Sequence, residues 1–271
     1  MAGSSVLETV LRRDRLVTLI ALALASVAAW AYVAFGIGTA MPGTAMDPAM
    51  TAMPGMAMAP AVMAMPAPMP WTGAYFALIV AMWAVMMVAM MLPGAAPMVL
   101  TFAALQRHRR QAAPQAATAL FTLGYLAIWA GFSILAATLQ WRLDSLALLS
   151  PAMATADTVL AGGALMAAGA YQFTPLKQGC LVRCRSPVEF LTRYHRSKPF
   201  GLGLRHGLFC LGCCWAMMLL LFVGGVMNLA WVGAITLFVL LEKTVPAGRW
   251  LGHVAGIGLI LWGGWMALAG L

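Results

Sequence analysis

Gly-Leu-Arg-His-Gly-Leu-Phe-Cys-Leu-Gly-Cys-Cys-Trp-Ala-Met-Met, residues 203–218, opens an apolar run that reaches Gly225 with no Asp, Glu, Lys or Arg after Arg205. From His206 to Gly225 an α-helix would be about 30 Å long, the thickness of a bilayer's hydrocarbon core. The rest of the chain agrees with that reading. Of 271 residues 63% are hydrophobic and only 8% charged, against about 25% charged in soluble domains. Seven segments read as membrane spans: 16–38, 72–92, 116–139, 158–173, 206–225, 228–241 and 250–270. The fifth and sixth form a tight hairpin turning near Asn228. The predicted fold is an all-α polytopic transmembrane bundle of about seven spans.

Basic residues mark the cytoplasmic side of a membrane protein. With the N-terminus inside and the C-terminus outside, 15 of the 16 Lys and Arg residues fall on that side, Lys177 and Lys243 among them, and only Arg142 falls outside. The formal charge of +9 is therefore a topology signal, and no nucleic-acid partner is expected. The first span is longer than a signal-peptide core and reads as an anchor. Three parts follow: a basic segment and first span (1–38), a loop (39–70), and a six-span domain (71–271) with a cytoplasmic connection at 174–205. The bacterial inner membrane is the expected location and the lipid bilayer the surroundings.

Residues 39–70 carry no Lys or Arg and hold nine methionines: Met41, Met46, Met50, Met53, Met56, Met58, Met63, Met65 and Met69. This composition cannot form a packed core and predicts a disordered extracytoplasmic loop. Low-complexity drift explains its Ala and Pro but not its Met. Thioethers are soft, neutral ligands suited to Cu(I), so the loop reads as a metal-capture segment. In the second span, Met82, Met86 and Met90 recur every four residues along one stripe, with Met87 and Met91 beside it. Packing and a metal pathway both account for them. Pro93 and Pro97 would break backbone hydrogen bonds near the cytoplasmic end, which is tolerable where the freed carbonyls meet protein or a cavity.

All five cysteines, Cys180, Cys184, Cys210, Cys213 and Cys214, lie within 35 residues. His206, Cys210, Cys213 and Met217 follow one another at helical spacings and share a face, with Cys214 and Met218 beside it. Ser186-Pro187-Val188-Glu189 is a capping-box pattern, predicting a short helix on the inner membrane surface that holds Cys180 and Cys184 near the bundle's mouth. The candidate metal ligands are thus Cys180, Cys184, His206, Cys210, Cys213, Cys214, Met217, Met82, Met86 and Met90. Zinc has no use for Met, and no carboxylate is read inside a span, which argues against hard ions and proton-coupled pumping. Tyr171, Gln172 and Asn228 read as interhelical hydrogen-bond partners, and the glycine pairs at 162–163, 224–225 and 263–264 as sites of close helix packing.

The runs Met86-Met-Val-Ala-Met-Met-Leu-Pro-Gly-Ala-Ala-Pro-Met98, Tyr171-Gln-Phe-Thr-Pro-Leu-Lys-Gln-Gly-Cys-Leu-Val-Arg-Cys-Arg-Ser-Pro187 and Cys210-Leu-Gly-Cys-Cys-Trp through Asn228 closely resemble a bacterial family described as predicted metal-binding integral membrane proteins. The resemblance covers about residues 72–271 and leaves out the Met-rich loop. It implies metal binding.

The function read from these features is Cu(I) transfer or transport across the inner membrane, with a copper chaperone or cuproenzyme as partner and no enzymatic activity. Cu(I) would pass from thioethers outside to thiolates inside. Two alternatives stand beside it: a thiol–disulfide electron relay through Cys210 and Cys213, and a copper-storing subunit for respiratory-enzyme assembly.

Overall fold

The computed structural model of the chain describes residues 2–35, 71–109, 113–149, 153, 155, 157–194 and 197–270. The methionine loop, Met41 to Met69, lies outside the described residues. Those described are helical throughout, apart from turns and one isolated bridge between Leu149 and Thr155. The helices are α1 (Ala2–Ala34), α2 (Gly73–His108), α3 (Pro114–Ser145), α4 (Thr158–Tyr171), α5 (Pro175–Arg185), α6 (Pro187–Arg193), α7 (Pro199–Leu219), α8 (Leu221–Gly224), α9 (Leu229–Thr244) and α10 (Gly248–Ala269). Five are long and apolar enough to cross a membrane: α2, α3, α10, the Leu16–Ala34 part of α1, and the Pro199–Gly224 stretch that contains α7. At 14 and 16 residues, α4 and α9 are shorter, about 21 and 24 Å. Leu24, Val27, Leu135, Leu208, Trp250, Leu261 and Trp265 face outward and are exposed, a surface that hydrocarbon solvates better than water.

Helix α2 continues through Pro93 and Pro97 and extends well past the predicted span end at residue 92. Pro93 has no N–H, so the Ala89 carbonyl one turn earlier has no helical partner. The Trp30 indole of α1 donates to that carbonyl at 3.1 Å, so the break is repaired by a neighbouring helix. At the far end of the bundle, α2 is tied to α3 by Trp71 Nε1 donating to Asp144 Oδ2 at 2.6 Å and Trp83 Nε1 donating to Gln140 Oε1 at 2.7 Å.

Glycines set the two tightest helix pairs. A Cβ on Gly203 of α7 would fall onto the Phe121 carbonyl of α3, and one on Gly124 of α3 onto the Phe200 carbonyl of α7. In the α4–α10 pair, a Cβ on Gly162 would lie 2.5 Å from the Gly263 carbonyl, and the reverse holds. Gly163 and Gly264 face open space, so only one member of each predicted glycine pair makes the packing. Gly225, at φ 90°, makes the turn before α9, a conformation that glycine adopts without steric cost. Asn228 caps α9 by accepting from the Trp231 N–H at 3.2 Å, and its Nδ2 donates to the Gly224 carbonyl of α8 at 3.2 Å, the interhelical bond the sequence predicts.

In the described part of the connection at 174–205 two helices, α5 and α6, stand where the sequence predicts one short surface helix. Thr174 caps α5, its hydroxyl accepting from the Lys177 N–H at 3.3 Å, with Pro175 at the first helical position. Ser186 precedes α6 as predicted but makes no side-chain capping bond. Helix α6 packs on the bundle: Phe190 and Leu191 are buried against Met98, Val99, Phe102, Phe121 and Leu202.

Gly162→Ala should lower thermal stability in detergent by about 1–3 kcal/mol through overpacking. Gly163→Ala should be neutral or stabilise by up to about 1 kcal/mol through helix propensity. Equal effects of the two would refute the α4–α10 contact.

Candidate metal centre

The close crossing of α3 and α7 carries Tyr125 against the middle of α7. Tyr125 Oη lies 3.2 Å from Cys210 Sγ and donates to the Met91 carbonyl of α2 at 3.0 Å. From the opposite side Lys243, at the end of α9, reaches past Gly94 of α2 and donates from Nζ to Cys210 Sγ at 3.0 Å. Its ammonium is 4.0 Å from Met91 Sδ. One turn along α7, Cys214 Sγ lies 3.8 Å from the same Met91 Sδ. Cys210, Cys214, Met91, Tyr125 and Lys243 therefore meet in the interior, where α2, α3, α7 and α9 converge.

Cys213 Sγ and Cys214 Sγ also donate to the Cys210 carbonyl at 3.0 and 2.9 Å. Bonding back to the preceding turn turns the thiols along their own helix. Among the described residues no three His, Cys, Asp or Glu side chains are gathered so as to hold a metal ion. Between α2 and α7 the soft donors that approach are one thiol and one thioether, and the thioether is that of Met91, not of the Met82–Met86–Met90 stripe. Those three are buried in the same core cluster as the cysteines.

Helix α5 brings the second pair of cysteines to α7. Cys180 packs against Gly212: a Cβ there would lie 2.7 Å from Cys180 Sγ. Burial pushes the Cys180 thiol above its ordinary pKa, and the nearby Cys213 adds to the shift. Cys184 is only half-buried as a residue, yet its thiol turns inward. Hydrogen bonds to Cys210 and Cys213, followed by burial, hold it well above the ordinary thiol value. Both shifts favour the protonated thiol at neutral pH. The five cysteines are all free.

His206 stands apart from the sulfurs in an aromatic box. Its ring stacks on Phe121 and Tyr125 with centroids at 6.0 and 5.4 Å and meets Phe190 edge-on at 5.6 Å. It is buried, and Nδ1 has no hydrogen-bond partner. Met217 faces elsewhere, its Sδ accepting from Gln172 Nε2 at 3.0 Å. Tyr171 Oη donates to the Gly212 carbonyl at 2.5 Å, so Tyr171 and Gln172 are the interhelical partners the sequence predicts.

Beyond Gln172 lies a feature the sequence reading missed. Lys177 Nζ donates to Gln172 Oε1 and pairs with Glu242 Oε1. The exposures of Lys177 and Glu242 are 0% and 1%, so Lys177 is not a loop charge and Glu242 is a carboxylate inside the bundle. Lys243, 9% exposed, is likewise buried rather than a cytoplasmic anchor. At the end of an apolar run, a Glu-Lys pair has the same sequence signature as an interfacial anchor, and nothing local shows that both side chains turn inward.

Thiols and thioethers thus lie together in the interior of the helical bundle, with the Lys243 ammonium against Cys210. The sequence pattern of the PpoB2 family, described as a copper chaperone, matches residues 80–266. The chain belongs to that family, and its function is copper-related. Comparison with curated proteins and with solved structures finds no match.

Removing one member of the buried pair should cost far more than replacing both. Lys177→Met and Glu242→Leu should each destabilise by about 3–5 kcal/mol, because each leaves a buried charged partner uncompensated, while the double change to these apolar residues should cost much less than their sum. Thermal unfolding of the four proteins as a double-mutant cycle checks this, and simple additivity would contradict the pairing.

Proposed function

We propose that the protein is a membrane-embedded copper chaperone that carries Cu(I) between thioethers and thiolates, with Cys210, Cys214 and Met91 as its central site. The observation that carries this reading is the 3.8 Å approach of Cys214 on α7 to Met91 on α2. Two sulfurs on one ion at about 2.3 Å each would stand about 4 Å apart at a trigonal angle, so the pair fits a shared soft cation. No carboxylate is hydrogen-bonded to either residue among the described residues, and thiolate with thioether selects Cu(I).

Copper is the cargo. Met41 to Met69 would take it up on the outer side, and Met82, Met86 and Met90 would line its path toward Met91. Binding at Cys214 displaces the thiol proton and requires the side chain to turn from the Cys210 carbonyl toward Met91. Cys213, which faces Cys180 and Cys184, would pass the ion toward α5 and a soluble copper chaperone or cuproenzyme. His206, with Nδ1 unpartnered, and Met217 would act as flanking donors. The proposed setting is the bacterial inner membrane, with α4 and α9 completing seven crossings, the N-terminus inside and the C-terminus outside. Taking Lys177 and Lys243 out of the loop charges leaves the distribution of the other basic residues unchanged.

Anaerobic competition against a Cu(I) chelator tests the site. Met91→Leu conserves volume and costs under about 1.5 kcal/mol in packing, so a folded Met91→Leu protein should lose at least about tenfold in Cu(I) affinity, or about 1.4 kcal/mol. Cys214→Ser should lose more. Unchanged affinity in both, with Cys210 and Cys213 cycling between thiol and disulfide in cells, would replace the copper reading by an electron relay.

A further inference from the structure

Lys243 places a cation beside the site of a protein that handles a cation, and this calls for a reason. Its ammonium donates to Cys210 Sγ at 3.0 Å and lies 4.0 Å from Met91 Sδ. Tyr125 Oη also faces Cys210 at hydrogen-bond distance, and the Cys184, Cys213 and Cys214 thiols adjoin it. The neighbouring carboxylate, Glu242, is taken by Lys177, and among the described residues that is the sole ion pair. Lys243 therefore has no carboxylate in direct contact, and Glu242 acts on it only from farther away. A buried charge without a counter-charge is strongly disfavoured, and the group in contact with Lys243 Nζ is the Cys210 sulfur.

We propose that Lys243 is a specificity-determining residue: its fixed positive charge balances the site for a soft monovalent cation and rejects a soft divalent one. The inference rests on the reading of Cys210, Cys214 and Met91 as the copper site. The charge count is short. Two thiolates, one ammonium and one monovalent ion sum to zero, with the Met91 thioether neutral, whereas a divalent ion leaves one uncompensated positive charge in a low-dielectric interior. Sulfur donors alone do not exclude a soft divalent ion, because thiolates bind Cd(II) as well as Ag(I) and Cu(I). Charge supplies the selectivity that donor softness does not. The reach of the side chain depends on Gly94, where a Cβ would come within 3.3 Å of Lys243 Cδ. The missing side chain at Gly94 gives the lysine stem room to cross α2 on its way from α9 to α7.

The test compares Ag(I) and Cd(II), both thiophilic but different in charge, on the full-length protein in detergent under reducing, anaerobic conditions, with Cu(I) as the reference. The unmodified protein should prefer Ag(I) to Cd(II). Lys243→Gln, which removes the charge and keeps a polar side chain, should narrow that preference at least tenfold, mainly by gaining Cd(II) binding. Lys243→Arg, which keeps the charge, should retain the preference. A folded Lys243→Gln protein with the original preference overturns the proposal. Should Lys243→Gln fail to fold, the unmodified protein still decides, since equal affinity for Cd(II) and Ag(I) there overturns it as well. A protein that binds neither Ag(I) nor Cu(I) overturns the copper site itself, a distinct outcome.

Discussion

The backbone-to-backbone approach of α3 and α7 at Gly124, Gly203 and Gly207 is the constraint on which the interior depends. Helices carrying larger residues at those positions would be held apart by the width of a side chain. Tyr125 would then no longer reach Cys210 and the Met91 carbonyl together, and the aromatic box around His206 would open. Small residues at a crossing let dispersion and hydrogen bonds act over short distances where no hydrophobic force drives helix association. The α4–α10 pair uses the same device at Gly162 and Gly263, so the periphery is built like the centre.

Within that frame the polar groups form one connected path. Met217 accepts from Gln172, Gln172 accepts from Lys177, and Lys177 pairs with Glu242. The next residue, Lys243, turns toward Cys210. The path fastens α5, which carries Cys180 and Cys184, to α9 and to the thioether side of α7. Buried polar networks are costly unless satisfied throughout, and here each charged group is met by an opposite charge, an amide or a sulfur. The unpartnered Nδ1 of His206 is the exception nearest the cysteines.

Helix α2 shows how packing and chemistry share residues. Its methionines fill the core beside Trp83, Trp129 and Leu165, and flexible, polarizable side chains suit that task whatever else they do. What distinguishes Met91 is its position one turn before Ala95 and two residues before Pro93, facing Cys214 and Lys243. Repetition every four residues picks out Met82, Met86 and Met90, a stripe that Met91 merely adjoins.

The sequence by itself determined the all-helical class, the apolar runs that become the long helices, and a copper-related function; it read about seven spans where five helices are long enough to cross a membrane. These follow from local composition and a period of 3.6 residues, which a linear reading can measure. Tertiary structure alone decided which sulfurs meet, that α5 is a helix packed on α7, and that Lys177, Glu242 and Lys243 turn inward. A buried charge and an interfacial one have the same local sequence. The difference lies in partners 33 to 65 residues away, brought within reach only when glycines let the helices close.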